Sequence, residues 1–183
     1  GHLAMDQGTV GDANTVMGSN AARSSEGNYN VSIGYDSMHD NTTGFQNTVL
    51  GTSALNNNTD GNNSVALGYG SLSGMVAGGT ENIALGFQAG DNITTGDRNI
   101  IIGYDIDAPS DTGDNQLNIA NVIYGDIATG NVGIGTSIPV GGLVVMSGNA
   151  GIGTWSPTKG LQVIGNAQIF GASSAVGTEI ASV

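Results

Sequence analysis

The sequence predicts an all-β solenoid. Three observations carry that expectation: a pair of glycines seven residues apart recurs six times, each pair brackets a short apolar alternation, and no segment has a convincing helical period. The pairs are Gly11 and Gly18, Gly27 and Gly34, Gly44 and Gly51, Gly61 and Gly68, Gly79 and Gly86, and Gly96 and Gly103, so successive coils run 16, 17, 17, 18 and 17 residues.

Residues 1–10 come first and stand outside the repeat. Gly1, His2, Leu3, Ala4 and Met5 read as the remnant of a cleaved tag joined to a lead-in, and the chain reads as a piece of a longer protein.

Inside each coil the slot three after the first glycine holds Asn14, Asn30, Asn47, Ser64, Asn82 and Asn99. Short polar side chains of this kind bond nearby backbone and open turns. Next comes the strand, with Thr15, Val31, Thr48, Val65, Ile83 and Ile100 at its start and Met17, Ile33, Leu50, Leu67, Leu85 and Ile102 at its end. Between them lie Val16, Ser32, Val49, Ala66, Ala84 and Ile101. Side chains alternate across a strand, and this reading puts the middle column on the outer face.

After the second glycine, Tyr35, Tyr69, Phe87 and Tyr104 recur in one slot, and small or apolar residues follow, such as Ser37 and Met38 or Ala54 and Leu55. A glycine bend and a second strand are expected there, giving two strands per turn. Polar stretches such as Asn56 to Asp60 and Asp91 to Thr95 then carry the chain to the next coil. Coils stacked about 4.8 Å apart make a rod about 30 Å long, with asparagine and aromatic ladders along it.

A degraded seventh unit starts at Gly113: Ala120 replaces the second glycine and Gln116 the turn asparagine, while Leu117 and Ile119 keep the alternation. Terminal repeats are usually atypical, so this unit ends the roll. Beyond it the motif changes. GNVGIGTSIPVGGLVV from Gly130 recurs as GNAGIGTWSPTKGLQV from Gly148, an offset of 18, and Gly165, Asn166 and Ala167 read as the start of a third copy. Pro139 and Pro157 share a slot, which puts them in turns or at strand edges. The expected organisation is residues 1–10 as tag and lead-in, 11–124 as a β-roll of six to seven repeats, and 125–183 as a glycine-rich β segment with two to three repeats.

Composition narrows the function classes. The chain holds 15 acidic and 3 basic residues for a net charge of -12, so it cannot neutralise a run of phosphates, and nucleic acid is a poor partner. There is no apolar run long enough to span a bilayer as a helix, so no membrane insertion is expected of this piece. With no cysteine, disulfides and thiolate chemistry are excluded, and stability must come from packing or oligomerisation.

The stretch NSVALGYGS from Asn63 to Ser71, with its relatives NIALGFQAG and NTVLGTSAL, resembles the head repeats of YadA-like trimeric autotransporter adhesins. That resemblance covers about Gly11 to Gly103 and implies a left-handed parallel β-roll associated as a homotrimer. The stretch GDNQLNIANVIYG followed by GNVGIGT..P...L.V resembles trimeric phage tail-fibre proteins, and implies a β-rich, intertwined fibre segment from Gly113 to about Val163. The coils are longer than the adhesin repeat, and neither a membrane-anchor barrel nor a chaperone domain is in the sequence. Apart from the resemblance, a thin roll buries little apolar area alone. Three chains sharing an apolar face would gain about 25 cal/mol for each Å² covered.

Candidate site residues are few. His39, beside Asp40, is the one histidine after the lead-in, and it would need distant partners to form a catalytic triad. The GIGT motifs at Gly133, Gly135, Gly151 and Gly153 lack the third glycine, lysine and helix of a nucleotide site, and read as turns. Asp105, Asp107, Asp111 and Asp114 are weak calcium candidates whose spacing matches no known calcium loop. The aromatic column could stack on sugar, although its constant slot favours an internal or interchain ladder. Trp155 stands where the preceding repeat has Ser137, so the repeat does not demand it, and it is the candidate ligand contact.

The structural repeat itself is assigned to Asn14, Gly18, Asn30, Gly34, Asn47, Gly51, Gly68, Asn82, Gly86, Asn99 and Gly103. No catalytic residue and no cofactor is expected. The reading is a non-enzymatic trimeric fibre or adhesin module, extracellular on a bacterial surface or virion tail, with a surface glycan or protein receptor as partner. The alternative is a phage tail-fibre receptor-binding segment, and the contrasting class is a polysaccharide-degrading β-solenoid enzyme, which would need paired carboxylates in a groove.

Overall fold

A computed structural model describes residues 11–146 and 148–164. The lead-in and the third repeat copy at Gly165 lie outside those residues. The described chain is all-β, and it falls into two compact units that divide between Met146 and Ser147.

The first unit begins with seven short strands: β1 (Thr15–Met17), β2 (Val31–Ile33), β3 (Thr48–Leu50), β4 (Val65–Leu67), β5 (Ile83–Leu85), β6 (Ile100–Ile102) and β7 (Gln116–Ile119). Each pairs with the next in parallel, and equivalent repeat positions sit opposite each other, as in Val49↔Ala66↔Ala84. The repeat slots therefore become columns along a rod. Parallel stacking ends at β7: β8 (Ile123–Asp126) and β9 (Asn131–Ile134) fold back as antiparallel strands, and β10 (Leu143–Val145) returns to parallel pairing with β9. The second unit holds the parallel pair β11 (Ala150–Ile152) and β12 (Leu161–Val163).

The expected second strand of each coil does not form. In the third coil, Ser53 (φ 54°) and Leu55 (φ 49°) are both left-handed, and the same two slots are left-handed at Asp36 and Met38. A strand needs negative φ throughout, so a left-handed residue at every other position winds the segment into tight turns instead. Its backbone still bonds between coils: Ser53 donates to the Tyr35 carbonyl at 2.9 Å and Leu55 to that of Ser71 at 2.9 Å. Each coil is thus one strand plus a compact turn ribbon.

The strand faces are also the reverse of the sequence reading. Ser32, Val49, Ala66, Ala84 and Ile101 are fully buried, so the middle column faces the interior, whereas Met17 is 64% and Leu50 49% exposed at a strand end. The interior is narrow. Ser32 Oγ lies 2.7 Å from Ser37 Oγ, a strand residue touching the turn ribbon opposite it, and the facing pairs Ala66 with Ser71 and Ala84 with Ala89 are equally small. Small or β-branched residues occupy this column; Met38, Leu55, Leu72, Met75 and Ile93 add larger side chains to the same core, all fully buried.

Two other columns lock the coils. Asn47 is buried; its Nδ2 donates to the Gly61 carbonyl at 2.9 Å, and its Oδ1 accepts from the Ser64 amide at 2.9 Å. Asn14, Asn30, Asn82 and Asn99 bond in the same two ways, so side-chain amides run up the rod as a ladder. Gly18, Gly34, Gly51, Gly68 and Gly86 form the second column. At Gly68, φ is 135°, and an added Cβ would meet the Gly86 carbonyl oxygen at 2.1 Å. Glycine is required there by both backbone angle and coil spacing.

Candidate functional site

Two surface features run the length of the roll. The first is the outer face of β1–β7. Strand ends carry Met17, Ile33, Leu50, Leu67, Leu85, Ile102 and Ile119, and strand starts Thr15, Val31, Thr48, Val65, Ile83, Ile100 and Leu117, none of them buried. Seven strands at about 4.8 Å spacing give this apolar strip a length of about 30 Å. Contiguous apolar patches of a few hundred Å² on soluble chains mark interaction sites. The sequence reading missed this face because the alternation has the same period whichever side is inside. The available signal was size: a column containing one serine and two alanines suits a thin interior better than an open surface.

The second feature is the aromatic column. Tyr69 and Phe87 stack with centroids 5.2 Å apart and planes at 11°, and Phe87 and Tyr104 stack at 4.9 Å and 12°. The rings are 52%, 36% and 73% exposed, so this ladder lies within one chain yet on its surface. Tyr35 occupies the same slot two coils before Tyr69, and Thr52 takes the slot between them. Backbone bonds keep the slots in line: amides of Ser53, Gly70, Gln88 and Asp105 donate to the carbonyls of Tyr35, Thr52, Tyr69 and Phe87.

The acidic residues are dispersed. Among the described residues, no group of three or more His, Cys, Asp or Glu side chains is placed to hold a metal ion, so Asp105, Asp107, Asp111 and Asp114 do not converge as a calcium site. Asp114 is used locally, accepting the Asp97 amide at 2.8 Å. Coil stacking instead brings Asp91 towards Asp107 and Asp105. Burial first, and then these two carboxylates, push the Asp91 carboxyl above its ordinary value, while the bond from Gln88 Nε2 at 3.2 Å pulls the other way. The one-coil separation of 16 residues between Asp91 and Asp107 was the sequence signal for that approach.

His39 Nδ1 lies 2.6 Å from Asp40 Oδ1 in an exposed connection, an adjacent-residue pair with, among the described residues, no serine or threonine bonded to the ring. Arg98 Nε donates to Asn115 Oδ1 at 2.9 Å on the rod surface, one coil apart. Among the described residues, no helix is long and apolar enough to cross a membrane.

The two GIGT repeats, one in each compact unit, have matching local folds. β9 pairs with β10 as Val132↔Leu143, β11 with β12 as Ala150↔Leu161, and Asn131 and Asn149 donate to the carbonyls of Pro139 and Pro157 at 3.2 and 2.9 Å. The GIGT motifs are therefore strand ends and turns, and an added Cβ at Gly133 or Gly151 would meet the carbonyl oxygen of Thr136 or Thr154. Trp155 projects from the second of these turns and is 100% exposed.

No protein-family model, curated protein or solved structure matches this chain.

Proposed function

We propose that this chain is a non-enzymatic fibre module: three copies pack the outer faces of β1–β7 against one another, and the rod displays its turns and loops for attachment to a surface glycan or protein receptor. It belongs, on this reading, outside the cell, on a bacterial surface or a virion tail. The observation that carries it is the continuous apolar outer face, which the fold leaves uncovered in a single chain. The resemblance of NSVALGYGS and its relatives to trimeric adhesin heads supplies the number three. The narrow interior supports the same reading, because a strand column that includes one serine and two alanines buries little apolar area along a long rod.

The test is native mass by light scattering on a size-exclusion column. Three chains are expected, and Leu67→Asp with Leu85→Asp should return a folded, smaller species. A wild-type monomer at micromolar concentration would overturn the shared-face reading.

A virion tail-fibre segment is the second reading, favoured by the tandem strand–turn–strand units around Pro139 and Pro157. Labelling intact particles with an antibody to this chain under the electron microscope separates the two: labelled tails support it, and labelled cell surfaces refute it.

A further inference from the structure

The aromatic ladder has a missing rung. Its column reads Tyr35, Thr52, Tyr69, Phe87, Tyr104, and four of these five slots carry a ring. Where the column is complete, Phe87 sits between Tyr69 and Tyr104 with centroid spacings of 5.2 and 4.9 Å. Coils repeat in register, so Tyr35 and Tyr69 are also two rungs apart, about 10 Å at the spacing of neighbouring strands. Thr52 is too short to fill that interval. Both tyrosines are about half exposed, at 53% and 52%, so the gap opens to solvent.

We propose that the gap above Thr52 is a binding slot for one planar aromatic cation, held between Tyr35 and Tyr69 as Phe87 is held between its neighbours. The protein shows that an interval of two coils accepts one aromatic ring. Positive charge is favoured because the faces of tyrosine rings are electron-rich, and a cation within about 6 Å of a ring centroid is attracted to them. The net charge of -12 adds a long-range attraction for cations.

The probe is thioflavin T, a planar cationic dye, titrated by fluorescence into the protein as it assembles in solution. Wild type is expected to bind one dye per chain saturably. Thr52→Tyr places a ring in a slot where this fold accepts tyrosine, so it should keep the fold, leave the melting temperature equal or higher, and weaken binding at least tenfold. Thr52→Ser should bind as wild type. Phe87→Ala opens a second gap of the same size, between Tyr69 and Tyr104, and should raise the stoichiometry to two. No saturable binding to wild type, or undiminished binding to Thr52→Tyr, would overturn the proposal; so would a Phe87→Ala stoichiometry that stays at one.

Discussion

Replacing Asn47 by alanine tests whether the side-chain amide ladder, and not apolar packing alone, sets the stability of the roll. Asn47 is fully buried, and its side chain serves two backbone groups of the next coil, the Gly61 carbonyl at 2.9 Å and the Ser64 amide at 2.9 Å. Alanine leaves the Ser64 amide without a partner, whereas the Gly61 carbonyl keeps its bond from Asn58 Nδ2 at 3.0 Å. A buried backbone group left unpaired costs about 1–3 kcal/mol, and losing one of two bonds to a carbonyl that stays paired costs about 0.5–1.5 kcal/mol, so a loss of about 1.5–4.5 kcal/mol is expected. Asn47→Ser should recover part of this. Ser64 already stands in the ladder, and its Oγ accepts the Asn82 amide at 3.2 Å, which shows that a serine hydroxyl can serve the amide above it. The bond to the Gly61 carbonyl would still be lost, but that carbonyl keeps Asn58, so about a third of the alanine penalty should remain. The measurement is urea unfolding followed by circular dichroism, with all variants at one protein concentration, because assembly adds a concentration-dependent term. A loss below about 1 kcal/mol for Asn47→Ala would mean that water enters and satisfies the Ser64 amide, and would refute the ladder as a stability element.

Other outcomes follow from the same geometry. Gly68→Ala should prevent folding or cost at least about 4 kcal/mol, because its Cβ would meet the Gly86 carbonyl oxygen, whereas Gly78→Ala, with positive φ but open space around it, should cost about 1–3 kcal/mol; thermal melts of the pair check this. Asp91→Asn should stabilise the fold at neutral pH. The folded-state pKa of Asp91 is raised, so its charged form opposes folding above that pKa, and the gain should shrink as pH falls through it towards the ordinary value of 3.8, which melts across that range test. Trp155→Ala should leave stability unchanged within about 0.5 kcal/mol, since the ring touches nothing that its loss would expose; any effect on attachment in a glycan or cell-binding assay would then be a contact effect.

The coil architecture was legible in the sequence because glycine and asparagine recur where the backbone selects them. Gly68 is forced by a close backbone approach, and Asn47 by two backbone groups that an amide bridges. Strand positions were equally plain, since Val65, Ala66 and Leu67 recur in register with their neighbours. The inside of the roll was not legible. A period of two fixes which residues share a face but not which face is buried, and hydrophobicity alone favoured Leu67 over Ala66 for the interior. The second strand was misread for a different reason: Ser53 and Leu55 are left-handed without being glycine or asparagine, a backbone cost that the inter-coil hydrogen bonds offset and the letters do not advertise. Of the candidate sites, Trp155 stood out as an unneeded ring in a turn. The Tyr35 and Tyr69 gap needed the register between coils before Thr52 could be read as a missing ring.

The direction of the inter-coil hydrogen bonds has a mechanical consequence. In β1–β7 those bonds point along the rod, so a pull on its two ends loads them one coil at a time, by peeling, and not all together by shear. Each detached coil of about 17 residues would release roughly 55 Å of chain at the extended reach of about 3.3 Å per residue. The load would stay nearly level while length is paid out, and each coil could wind back on its neighbour when tension falls. Such a strand behaves as a yielding tether, able to dissipate a sudden tug without a covalent crosslink anywhere along it.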